Sequence, residues 1–310
     1  MQKTQRITPQ LAVITKNRTN PAYIGARLGV DRICVELGAN VTHYVPETPD
    51  DIDEQIALIH QAVASAPDAI VLAPTHATRL QPALDAILNA GIPMLYIVSE
   101  TDPSPAHCFV GSDNYLLGRA MADRMASHIG GRGTVALMDG HINAVTSLPR
   151  AKGFRDALAE NWPDVKIVFE TRGDYQRDAA HAAFAAALPT LPDIDGLIIA
   201  NDFMALGVMD AYREVGRAAP PMVGANVTPE GVELIKQGHM IASAAFDALA
   251  MGTLAAEGAI RLLQGEKLPK RIDLPAQLVD QSNLAEWDRP YTERTSISWA
   301  DAVPHIVTFE

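Results

Sequence analysis

The sequence predicts two similar α/β lobes, each a doubly wound parallel sheet with helices on both faces. Three observations predict it. Short β-rich runs alternate with amphipathic helical stretches almost throughout the chain. The β-rich runs are nearly continuous in apolar residues, as strands buried on both faces are. There are also more strand–helix units than one compact doubly wound domain holds, and 310 residues suit two cores.

In order along the chain, strands are expected at Leu11–Thr15, Asn40–Val45, Ala69–Ala73, Met94–Val98 and Cys108–Gly111. A second set follows at Thr134–Met138, Val165–Glu170, Gly196–Ala200, Met222–Ala225 and Met240–Phe246. Between most of them apolar residues recur three and four apart, as in Ile56, Ile59 and Val63, or Leu84, Ile87 and Leu88, the spacing of one helix face. Gly130-Gly131-Arg132-Gly133 reads as a helix-to-strand turn, because no Lys-Ser/Thr follows to make a phosphate loop. A lobe boundary falls near Pro103-Ser104-Pro105 and Gly111-Ser112. No Gly/Ser tether appears, so the joints are expected to be short and stiff. Glu286–Glu310 mixes aromatics with polar residues without a period and reads as an ordered tail packed over the body.

Bulk properties exclude several functions. A net charge of −12 and a pI near 5.2, without any Lys/Arg run, argue against nucleic acid as a partner. Cys34 and Cys108 make neither a disulfide framework nor a zinc site, and Cys34 lies among apolar helix positions as a small hydrophobe. His76, His107 and His141 lie near strand ends but lack HxxxH or HxH spacing, so they read as loop histidines and no metal or other cofactor is expected. No nucleophile elbow or dinucleotide fingerprint occurs, and Asp174 and Asp202 have no proton partner legible in sequence, so no enzyme activity is expected. No apolar stretch is long enough to span a bilayer. The residues Met1 to Arg6 run straight toward the first strand without a hydrophobic leader. The chain is read either as cytoplasmic or as the mature form of an exported protein.

The most informative segment is IIANDFMALGVMDAYREVG, where a buried strand ends in Asn201-Asp202 and a helix begins at once. Ligands of parallel α/β sheets bind just beyond the carboxyl ends of strands. An Asn there can both donate to and accept from hydroxyls, while Asp202 is placed to cap the helix.

Five segments together resemble the sugar-binding periplasmic proteins of ABC importers, of the ribose-binding type. They are LAVITKNRTNPAYIGARLGV; AIVLAPTHA with GIPMLYIV; FVGSDNYLLGRAMADRM; SLPRAKGFRDALAE; and GLIIANDFMALGVMDAYREVGR running into MVGANVTPEGVELIKQGHMIASAAF. They run in family order over about residues 10–283. The resemblance implies the type I periplasmic binding protein fold, with a three-segment hinge and a ligand cleft between lobes. One lobe would hold residues 1–111 and 248–276, the other 112–247 and 277–310. It also implies a monomeric periplasmic receptor, its leader removed, that closes around a small polyhydroxylated solute and engages a membrane permease or a chemoreceptor.

The same resemblance places site residues. Asn20 stands at a hydrogen-bonding position, Tyr23 replaces a stacking Phe, Arg150 matches the cleft arginine, Tyr175 an aromatic wall and Asn201 a hydroxyl-binding Asn. Departures lie at Val98-Ser99, where the ribose type has Asp-Arg, at Asn226, where it has Asp, and at Phe246, where it has Gln. Ribose is therefore not expected. A neutral sugar or sugar alcohol is favoured over a sugar acid, on the premises that Lys16 and Arg18 face solvent and that Glu100 or Asp102 replaces a lost carboxylate. The rival in a different class is the effector-binding core of a LacI-type regulator, disfavoured because strand one begins near Leu11 and the charge is acidic.

Overall fold

A computed structural model describes residues 8–303 of the chain. It opens with β1 (Gln10–Ile14), α1 (Pro21–Leu37), β2 (Asn40–Tyr44), α2 (Ile52–Ala64), β3 (Ala69–Leu72), α3 (Gln81–Asn89), β4 (Met94–Ile97) and β5 (Cys108–Ser112). There follow α4 (Asn114–His128), β6 (Gly133–Asp139), α5 (Ser147–Asn161), β7 (Val165–Arg172), α6 (Arg177–Ala187), β8 (Gly196–Ile199), α7 (Asp202–Glu214), β9 (Met222–Ala225), α8 (Pro229–Lys236) and β10 (Met240–Ala244). The chain closes with α9 (Ala248–Leu263), β11 (Arg271–Leu274), β12 (Leu278–Val279) and α10 (Trp299–Ala302).

Two compact units result. One holds the chain up to Gly111, Ala248–Leu274 and the stretch from Thr295; the other holds Ser112–Asp247 and Pro275–Arg294. The first carries a sheet of order β11-β5-β4-β3-β1-β2 and the second a sheet of order β12-β10-β9-β8-β6-β7. Counting only β1 to β5, and then β6 to β10, each sheet has the strand order 2-1-3-4-5. Neighbours are parallel, as in Leu11 opposite both Val41 and Ala69, and Val135 opposite both Ile167 and Gly196. Only β12 is antiparallel to its partner β10 among the pairings whose direction is defined.

The apolar strands fill the cores. Ile14, Ile70, Leu72 and Tyr96 pack in the first unit with Ile59 of α2 and Leu84 and Ile87 of α3. Leu88, expected on that same face, is 44% exposed: at this helix pitch it rotates past the buried stripe. Cys34 and Cys108 are both buried as free thiols, and burial pushes them up to about 11 and about 12.

The tail divides where the sequence expected one lobe to keep it. Residues from Thr295 belong with the first unit, not the second. The reason is Trp299, whose ring lies against Gly258 of α9 and under the Arg261 guanidinium at 5.2 Å.

Glycine permits a close helix contact in the second unit. A Cβ on Gly118 of α4 would lie 2.2 Å from the Arg150 carbonyl oxygen of α5, and one on Gly153 would lie 2.3 Å from the Tyr115 carbonyl oxygen. Gly118→Ala must push α5 away with the backbone of Arg150. We expect it to destabilise the protein by about 1–3 kcal/mol, read from urea denaturation.

Candidate functional site

The functional candidates collect at the carboxyl ends of the strands, so each unit is taken in turn. In the first, the chain leaves β1 through Thr15-Lys16-Asn17, all buried. Asn17 shapes the loop: its Oδ1 accepts from the Thr19 N–H at 2.9 Å and the Asn20 N–H at 2.8 Å. Its carbonyl oxygen accepts from Arg27 at 3.0 Å. Such a side-chain turn sets the entry to α1. Asn20 is the N-cap, its Oδ1 accepting from the Ala22 N–H at 3.0 Å, which leaves its amide N–H2 and a second oxygen lone pair for a ligand. Tyr23, one turn in, is 7% exposed.

Lys16 does not face solvent; it is 3% exposed. Its Nζ reaches across the strand ends to the Pro74 carbonyl oxygen and to Ser99 Oγ, each at 3.4 Å. Burial holds the ammonium below its usual range, partly offset by Asp50. Arg18, by contrast, is half exposed and pairs with Glu47 at 2.7 Å.

Ser99 follows an unusual turn. Val98 has φ +70°, rare for a β-branched residue, and the Ser99 N–H donates to the Ile97 carbonyl oxygen at 2.7 Å, closing a strained three-residue turn. Ser99 Oγ donates to the Pro74 carbonyl oxygen at 2.8 Å. Glu100 does not replace the missing carboxylate, because Arg271 binds it while stacking over Phe109 at 4.4 Å. Asp102 is exposed.

In the second unit Asn201, and not Asp202, caps α7: its Oδ1 accepts from the Met204 N–H at 2.9 Å. Asn201 is 1% exposed, and its Nδ2 is buried with no hydrogen-bond partner. Burying an unsatisfied amide is unfavourable, so this donor is aimed at something the protein itself does not supply. Asp202 turns inward instead. It accepts from Ser243 Oγ at 2.7 Å and from the Thr228 N–H at 3.0 Å, fastening the loop after β9 to β10. That loop carries Asn226 and Val227, both at positive φ (102° and 47°). Arg294 of the tail, 6% exposed, donates to the Val227 carbonyl oxygen at 2.5 Å and stacks on Tyr291 and Trp287.

Arg150, 2% exposed, donates to the Ala200 carbonyl oxygen and, at 2.6 Å, to Asn114 Oδ1; its Nε has no partner. Its guanidinium lies 5.3 Å from the centre of the Phe246 ring. Tyr175 is set by consecutive positive φ at Asp174 and Tyr175 (48° and 59°). The Gln176 N–H donates to the Gly173 carbonyl oxygen at 2.8 Å, closing a type I′ turn. The Tyr175 ring lies on Gly140, where a Cβ would sit 2.2 Å from it, and its hydroxyl lies 3.1 Å from Thr146 Oγ1.

The structure thus gathers Asn20, Tyr23 and Ser99 on the strand-end face of one unit. It places Arg150, Tyr175, Asn201, Asn226 and Phe246 on that of the other. Sequence reasoning missed Asn17, Ser243 and Arg294, and misread the burial of Lys16. The Asn17 turn alone had a local signal, an Asn two residues before Thr19. His76 and His141 serve their own turns, with Nδ1 accepting from the Thr78 N–H at 3.1 Å and the Asn143 N–H at 3.2 Å.

Burial pushes the Asp202 carboxyl up to about 7, against the hydrogen bonds that favour its charge. A raised acid stabilises the fold fully below its unfolded value near 3.8, and that contribution fades as pH climbs through about 7. Asp202→Asn is expected to flatten this loss, measured by urea denaturation at pH 5 and pH 7.5.

Comparison with known proteins identifies the family and the fold. Residues 11–267 match the family model described as periplasmic binding protein domain. A xylitol-binding protein of Mycolicibacterium smegmatis is 28% identical over 62% of this chain and 55% of that protein. A D-ribose/D-allose-binding protein of Pseudomonas aeruginosa is 27% identical over 83% of each. Among solved structures, an ABC transporter periplasmic solute-binding protein from Actinobacillus succinogenes with bound D-allose superimposes with a TM-score of 0.83. It is 26% identical, covering 89% of this chain and 99% of that one.

Proposed function

This chain belongs to the periplasmic binding protein domain family, and we propose that it is the periplasmic receptor of an ABC importer for a small polyhydroxylated solute other than ribose. It has two parallel-sheet α/β lobes of the type I periplasmic binding protein fold, is similar to the ribose-binding proteins, and is a binding protein and not an enzyme. The finer statements are our reading: the lobes close as a hinge, the closed form is presented to a membrane permease, and the receptor works as a monomer.

One observation carries the reading. Asn201 stands at the carboxyl end of β8, beside the point where the strand order reverses, with its amide nitrogen buried and unsatisfied. A solute hydroxyl is the natural acceptor for such a donor. Relatives that bind xylitol and ribose or allose, and a neighbour holding D-allose, support the carbohydrate class. Tyr175 and Phe246 supply ring faces for C–H surfaces, while Asn20 and Arg150 supply planar donors. Ser99, Asn226 and Phe246, in place of the ribose pattern, argue for a different solute.

A thermal-shift screen with pentoses, hexoses, tetritols to hexitols, and aldonic and uronic acids tests this. Stabilisation by several degrees that saturates with concentration is expected from at least one compound. Asn201→Ser keeps a capping oxygen but removes the amide donor, and it should weaken that compound's binding more than about tenfold. Silence across the panel would refute the carbohydrate reading.

A further inference from the structure

We propose that the solute carries a carboxylate and that Lys16 reads it, which makes the ligand class an aldonic or uronic acid. The inference rests on the receptor reading above and refines it. Lys16 leaves the sheet at the carboxyl end of β1, beside the reversal of strand order between β1 and β3. Its side chain spans the ends of β3 and β4, with Nζ 3.4 Å from the Pro74 carbonyl oxygen and from Ser99 Oγ. Both partners are neutral and both contacts are long for a charged donor, and an ammonium has three N–H groups to place.

No carboxylate lies within ion-pair distance of Lys16 among the described residues. The acid that acts on it from farther away, Asp50, accepts from Asn17 Nδ2 at 3.2 Å. At 3% exposure the side chain is withdrawn from bulk water. A buried ammonium without an anion is unfavourable, and an incoming carboxylate relieves it.

The surroundings point the same way. The Ser99 hydroxyl donates to Pro74, so its lone pairs face Lys16. That makes Ser99 a positioning residue for the ammonium, held there by the strained turn at Val98. Glu100, the neighbouring acid, is drawn off by Arg271. Of the premises that favoured a neutral ligand, the solvated Lys16 is overturned and Glu100 is engaged by Arg271, while Arg18 does face solvent.

The test is titration calorimetry of the full chain with three matched pairs: D-gluconate and sorbitol, D-xylonate and xylitol, D-galacturonate and D-galactose. At least one acid is expected to bind about a hundredfold more tightly than its neutral partner, and more weakly as salt is raised. Lys16→Met should lower the acid's affinity at least about thirtyfold, far more than the neutral partner's, and Lys16→Arg should recover part of it. A neutral partner that binds as tightly as its acid overturns the inference and leaves the receptor reading standing. So does a Lys16→Met variant that loses both alike, which would make Lys16 a pin across strand ends. Should Lys16→Met not fold, the wild-type comparison still decides. Silence from all six overturns the inference, while the carbohydrate reading stands or falls on the wider thermal-shift panel.

Discussion

In a parallel sheet whose strand order reverses, the loops leaving the two central strands go to opposite faces, and their carboxyl ends are left open. That constraint operates twice in this chain, between β1 and β3 and again between β6 and β8. An asparagine caps the helix that leaves each of them. The helix after β1 begins at Asn20 and the helix after β8 begins at Asn201, and each cap spends its carboxamide oxygen on the helix. Each keeps its amide nitrogen as a donor to present. Asn20 follows β1 in one unit and Asn201 follows β8 in the other, and each is placed to donate to a hydroxyl.

Strain is concentrated at the same ends. Val98, Asp174, Tyr175, Asn226 and Val227 follow directly on β4, β7 and β9, and they are five of the seven non-glycine residues with positive φ in the described chain. Such conformations are unfavourable and persist only where surrounding contacts fix them. Here the fixing contacts are visible. The Val98 N–H donates to the Val110 carbonyl oxygen at 3.1 Å, and Tyr175 rests on Gly140. The Asn226–Val227 turn is tied by Ser243 Oγ, to which the Val227 N–H donates at 3.0 Å, and by Arg294. The buried Asp202 carboxylate is the knot of that last arrangement, joining the ends of β8 and β10 to the loop after β9.

Much of this was legible in the sequence because it is periodic or local. Eight of the first ten strands are buried apolar runs, while β2 and β7, at sheet edges, alternate exposed and more buried residues; all ten appear close to where the sequence predicts them. The two short strands that escaped notice lie at sheet edges. Arg271–Leu274 alternates exposed and buried residues over only four positions, and Leu278–Val279 is a two-residue pairing. Asp202 was legible as a strand-end acid but not as an inward one, since a one-residue choice of cap turns on Ser243, forty-one residues away. Lys16 was misread for the same reason: its burial is decided by Pro74 and Ser99, which are distant in sequence. Arg294 sits in a tail without period, and only its docking on Val227 gives it a role.

The central claim is that two strand-end faces, each carrying buried donors, are brought onto one solute. Small-angle X-ray scattering of the full chain, with and without a saturating concentration of the most stabilising carbohydrate, tests it most directly. A smaller radius of gyration that develops along the binding isotherm is the predicted result. Saturation of the site with no change in the scattering profile would contradict hinge closure.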